Sequence, residues 1–148
     1  MAAQSQVGYA GDIDPLAAYQ ELANNADAQL IDVRTRAEWS FVGIPDLGGI
    51  GKEPILIEWQ SWPHMQVAGD FLDKLKSALA AKNVGPDAPL YFLCRSGVRS
   101  AAAAACAVTE GFEQAFNISG GFEGPPDQGR HRGSVAGWKA NDLPWVQT

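Results

Sequence analysis

A parallel α/β sheet with helices on both faces is the fold class this sequence predicts, and three observations predict it. Short runs of branched and aromatic residues recur at 29–33, 55–59, 89–93 and 115–118. Capped helical patterns alternate with them, which is the rhythm of strand, crossover helix and strand. At 148 residues and 46% hydrophobic side chains, the chain is long enough to bury one core without staples, so 1–148 reads as a single domain.

The elements follow in order. Asp14 and Pro15 open a helix: a carboxylate stands ready for the first amide protons, and a proline takes a position whose N–H would lack a partner. Leu16, Tyr19 and Leu22 mark its apolar face. After the strand at 29–33, Thr35 and Glu38 have capping-box spacing and start a short helix through Trp39. The strand at 55–59 precedes a helix capped by Asp70, in which Phe71, Leu72, Leu75 and Leu79 recur at helical spacing until Asn83 and Gly85 end it. The strand at 89–93 leads through a cysteine loop into a helix over 100–110, which Gly111 stops, and 115–118 forms the last buried strand. Residues 48–53 and 60–68 read as loops, and 120–133 is rich in glycine and proline. Loops of this length inside a compact domain often carry function.

Charge and composition exclude several roles. A net charge of −6 argues against nucleic acid or an anionic membrane as the main partner, because those surfaces are met by clustered Lys and Arg. Cys94 and Cys106 form no Cys-x-x-Cys pair, and His64 and His131 do not complete a zinc ligand set, so neither a metal nor a disulfide framework is expected. No cofactor is implied. Residues 1–10 lack a basic and apolar leader pattern, no run reaches the length of a membrane span, and a cytoplasmic, reducing location is expected.

The most informative stretch is Cys94, Arg95, Ser96, Gly97, Val98, Arg99 and Ser100, placed between a strand and an alanine-rich helix. A cysteine at such a turn faces loop amides and the positive end of the helix dipole, which favour the nucleophilic thiolate. In open parallel sheets, ligands also bind beyond the carboxyl ends of the strands, where this reading puts Cys94. Cys106, set among Ala101 to Val108, reads as a packing residue.

Three pieces in this order resemble the single-domain rhodaneses, a family of sulfurtransferases. They are Leu30, Ile31, Asp32, Val33 and Arg34 followed by Glu38 and Trp39; the cysteine loop; and Gly120 and Gly121 with Gly137, Trp138, Leu143 and Pro144. The resemblance implies a rhodanese-like parallel sheet of about five strands, with Asp32 and Arg34 as supporting residues of the active-site loop. Where the family has Gly-His-Ile-Pro-Gly, this chain has Val42, Gly43, Ile44, Pro45 and Asp46, so that histidine and its role are absent. Residues 124–134 look like an insertion carrying Arg130, His131 and Arg132, either a solvated basic cluster or an anion- or partner-binding flap.

Loop length separates the nearest enzyme readings. Four residues lie between Cys94 and Arg99, and Leu93 precedes the cysteine, whereas the phosphatase signature has a longer loop and a histidine there. A shorter ring of amides suits a single extra sulfur better than a tetrahedral phosphate. The expected chemistry is transfer of a sulfane sulfur from a small anionic donor such as thiosulfate to a thiol, protein or cyanide acceptor, through a persulfide on Cys94. Arg99 and Arg95 would orient the donor, while the amides and backbone of Ser96, Gly97 and Val98 would hold it, Gly97 at positive φ. The Ser96 and Ser100 hydroxyls would hold the loop or the persulfide, or Ser100 would cap the helix. The alternatives are a binding module that does no chemistry, with Trp59, Trp62, Trp138 and Trp145 as contacts, and an enzyme of the phosphatase or arsenate reductase type.

Overall fold

Every strand of the central sheet runs the same way, because a helix stands between each strand and the next and returns the chain to its starting end. The computed structural model describes residues 8–61 and 66–147. Its elements are β1 (Gly11–Ile13), α1 (Pro15–Asn24), β2 (Gln29–Asp32), α2 (Arg36–Phe41), β3 (Ile44–Pro45), β4 (Ile55–Leu56), β5 (Gln60–Ser61), β6 (Gln66–Val67), α3 (Phe71–Ala81), β7 (Leu90–Leu93), α4 (Val98–Thr109), β8 (Ala115–Ile118) and β9 (Trp145–Val146). The main sheet has five strands in the order β1-β8-β7-β2-β4, all parallel as the alternation predicts, and their number is the one the resemblance implies. Ile31 pairs with Phe92 on one side and Ile55 on the other.

The pleat divides the core in two. Ile31, Leu90 and Phe92 point to one face and join Phe71, Leu75 and Leu79 of α3 and Ala103, Ala104 and Ala107 of α4. Leu30, Tyr91 and Leu93 point to the other, against Ala18 and Leu22 of α1, Phe122 and Trp138. These three alanines of α4 are fully buried, and their small side chains let that helix lie close to the sheet.

Several expectations are corrected. The buried face of α1 is Pro15, Ala18 and Leu22, and Leu16 is exposed. Asp14 caps that helix as expected, accepting from the N–H groups of Leu16 and Ala17. Asp70 makes no capping bond; its carboxylate meets Lys74 at the surface instead. The strand at 55–59 is shorter than expected, although Ile57 and Trp59 still donate to the Asp32 and Val33 carbonyls. The segment 60–68 is not a plain loop: β5 and β6 pair antiparallel, and His64 and Trp62 between them lie outside the described residues. Two elements went unread, the edge strand β1 and a small antiparallel pair of β3 with β9. Among the described residues, no helix is long and apolar enough to cross a membrane.

Candidate active site

The cysteine loop begins where β7 ends and closes where α4 begins. Gly97 is the N-cap of α4 at φ 114°, so the helix starts at Val98, two residues before the expected Ser100. Its missing Cβ matters here, since side chains rarely adopt that backbone conformation. Ser100 therefore is not the cap. It lies fully buried in the first turn, with its hydroxyl 3.2 Å from Cys94 Sγ and 2.5 Å from Asn117 Oδ1. Gly97 N–H donates to the same sulfur at 3.1 Å. Cys94 is only 1% exposed, so the sulfur sits at the bottom of its ring of donors.

The loop is braced from below. Phe122 N–H donates to the Cys94 carbonyl at 2.8 Å, and Glu123 and Gly124 N–H donate to the Arg95 carbonyl. Gly121, at φ +65°, packs so close that a Cβ would stand 2.5 Å from the backbone of Cys94 and Arg95. Asp32 and Arg34, both at 0% exposure, form a two-pronged buried ion pair: Arg34 Nε donates to Asp32 Oδ1 at 2.9 Å and Nη2 to Oδ2 at 2.7 Å. The same Nη2 donates to the Gly43 carbonyl, and the guanidinium lies 4.2 Å over the Phe122 ring. The pair therefore supports Phe122, and Phe122 holds Cys94.

Arg99 does not stand open. Its two terminal nitrogens donate to both oxygens of Glu38, at 2.7 and 2.9 Å. Glu38 is also the N3 residue of the capping box on α2, accepting from Thr35 N–H. Burial alone would raise its pKa, but the bonds and charge of Arg99 and the Thr35 amide outweigh that and hold the carboxyl down at about 2. Glu38 in turn pushes the Arg99 pKa up. The capping box already accounts for Glu38 at the level of sequence, so nothing there signals this second partner, 61 residues away. Asn117 was missed too, because a polar residue in a buried strand carries no mark of what it faces.

Arg95 is exposed, and among the described residues its side chain has no hydrogen-bond partner. With Arg99, Glu38, Phe41, Val42 and Glu123 it lines a cavity of about 720 Å³ beside the loop. Phe41 in its lining is 81% exposed, and Val98 at the head of α4 is 78% exposed. Ser96 is half-buried and Val98 contributes backbone rather than a buried side chain. Residues 124–134 fold on themselves: Asp127 accepts from Gly129 N–H, His131 N–H and the Ser134 hydroxyl, and Arg132 donates to the Gly124 carbonyl at 2.6 Å. Arg130 is exposed at φ 65°. Trp138 is core, Trp59 packs edge-on against Phe71, and Trp145 is partly exposed. Cys106 is half-buried, and burial pushes its thiol pKa up, as suits a packing residue. No cluster of side chains able to hold a metal occurs among the described residues.

Parallel sheet, helix-head loop and cradled cysteine together define a protein of the rhodanese-like class. Residues 11–148 match the STR4 middle domain, and the chain belongs to that rhodanese-like family. It is 41% identical over 128 residues to an uncharacterized protein of Rickettsia conorii, covering 86% of this chain and 90% of that one. It is also 30% identical over 131 residues to the chloroplastic rhodanese-like domain-containing protein 4 of Arabidopsis thaliana, covering 88% of this chain and 24% of that larger protein. Among solved structures, Rv0390 from M. tuberculosis superposes with a TM-score of 0.83 at 44% identity, covering 95% of this chain and 99% of the other. The polysulfide-sulfur transferase homodimer of Wolinella succinogenes, at 24% identity, shares the fold with a TM-score of 0.59 over 99% of this chain and 88% of its own.

Proposed function

We propose that this protein is a sulfurtransferase that carries a sulfane sulfur as a persulfide on Cys94. The observation that carries the reading is the cradle itself: a cysteine sulfur receiving Gly97 N–H at the head of α4, in a loop with four residues between Cys94 and Arg99. In the first half-reaction the Cys94 thiolate attacks the outer sulfur of a donor such as thiosulfate. The donor's sulfur–sulfur bond breaks, sulfite leaves with the electron pair, and the persulfide anion remains within reach of the loop amides. A thiol or cyanide then takes the outer sulfur and releases the thiolate.

Arg95, exposed beside the cavity and without a side-chain partner among the described residues, is the guanidinium best placed to meet the donor's oxygens. Arg99 has its charge compensated by Glu38 and shapes the wall. Four residues between Cys94 and Arg99 make a shorter loop than the phosphatase signature has, so hydrolysis of aryl phosphates should stay at background. The test is intact mass after thiosulfate: one sulfur is gained at Cys94, a small thiol removes it, and Cys94→Ser gains none. Sulfur found on Cys106, or turnover undiminished in Cys94→Ser, would defeat the proposal.

A further inference from the structure

Ser100 has one hydroxyl proton and two neighbours that want it. Cys94 Sγ lies at 3.2 Å and Asn117 Oδ1 at 2.5 Å. The amide of Asn117 is not free to turn, because its Nδ2 donates to Asp12 Oδ1 at 2.9 Å, across 105 residues of sequence. Turning it would set two acceptor oxygens face to face. The same Asp12 oxygen accepts from the Tyr9 hydroxyl at 2.8 Å, which holds the carboxylate in place. Asn117 Oδ1 thus always faces Ser100 as an acceptor.

We infer that Asp12 and Asn117 are positioning residues for the reaction: through Ser100 they set whether the Cys94 sulfur meets a proton or a lone pair. With the hydroxyl proton drawn to Asn117, the Ser100 oxygen offers its lone pair to Cys94. That arrangement suits a thiol, which donates its own proton, and costs the uncharged inner sulfur of a persulfide less than it costs a thiolate. A thiolate at the same place requires the hydroxyl to swing its proton onto sulfur and leave the Asn117 carbonyl unpartnered in a buried site. The string therefore raises the free energy of the thiolate relative to the loaded state. Loading balances without any further reagent: the thiolate becomes a disulfide-bonded sulfur, one sulfur moves, and sulfite leaves. Asn117 passes no proton; it only decides where the Ser100 proton rests.

This inference rests on the persulfide reading, and its test has an arm that does not. Asp12 is exposed on the edge strand, so Asp12→Ala can remove the acceptor that anchors Asn117 without opening a cavity in the core. It frees the Asn117 amide to turn and releases the Ser100 proton to sulfur. At a fixed ratio of thiosulfate to sulfite, the equilibrium constant for persulfide formation should fall roughly tenfold. In mildly acidic buffer, alkylation of Cys94 by iodoacetamide, read on its own peptide, should quicken about threefold, since a stabilised thiolate is more abundant though somewhat less nucleophilic. Asn117→Leu should act in the same direction and more strongly. Both changes should vanish in a Ser100→Ala background, where there is no proton to redirect. Asp12→Ala behaving as wild type in both assays, or acting equally without Ser100, would overturn the inference. A wild type that never gains sulfur would defeat the persulfide reading, and the alkylation result would still decide the role of Asp12.

Discussion

Glu38 shows how one carboxylate can serve two structures. Its pKa of about 2, against an ordinary 4.5, means that folding favours its ionised form. The stabilisation is complete above the ordinary value and is lost as pH falls through the folded value, so the window lies between those two figures. Its size is on the order of 3 kcal/mol. Glu38→Gln should lower the urea midpoint at neutral pH, and the gap to wild type should close as pH drops through that window; a constant gap would mean that the ionised form is not what matters. The same substitution releases Arg99 from its bidentate partner. Thiosulfate should then load at several-fold lower concentration and with greater sensitivity to salt, because an uncompensated guanidinium is open to screening.

At the level of elements, the site depends on how closely backbones approach beneath the loop. A methyl group on Gly121 would meet the Cys94 and Arg95 backbone at 2.5 Å, with φ already at +65°. Gly121→Ala should cost about 3 kcal/mol or more, and any folded fraction should load sulfur poorly because the cradle has moved. Thermal unfolding and intact mass check the two halves, and a stable, fully loading variant would show that the loop tolerates displacement. This brace was only half legible in the sequence. Gly120 and Gly121 could be noticed as a pair, but their contact with Cys94 depends on a turn after β8 that no periodicity encodes. The sheet strands were readable because they are buried on both faces and their apolar runs are continuous. The strands β1 and β9 were not, since β1 carries Gly11 and Asp12 and β9 is exposed, leaving no pattern to detect. The start of α4 was misjudged because Ser100 looks like a cap, and only three-dimensional structure shows that its hydroxyl turns inward.

Across the whole molecule, the Asp32 and Arg34 pair joins the sheet, the turn at Gly43 and the Phe122 support of the loop. Arg34→Met leaves a buried carboxylate without its counter-charge and should cost about 3 to 5 kcal/mol. Asp32→Asn combined with Arg34→Met should recover a large part of that, measured by denaturant unfolding; equal losses in the single and double variants would place the cost in packing rather than charge. The order of the sheet has a consequence for biosynthesis. Among the strands of the sheet β1 is made first, yet its partner β8 ends at Ile118, so the emerging chain carries an unpaired β1 until all five strands have been made. Asp12 lies on that strand. Phe122 and Glu123, which brace the cysteine loop, follow β8 in the chain, so neither the braced loop nor the Asp12 contact with Asn117 can form until this late part of the fold has been made.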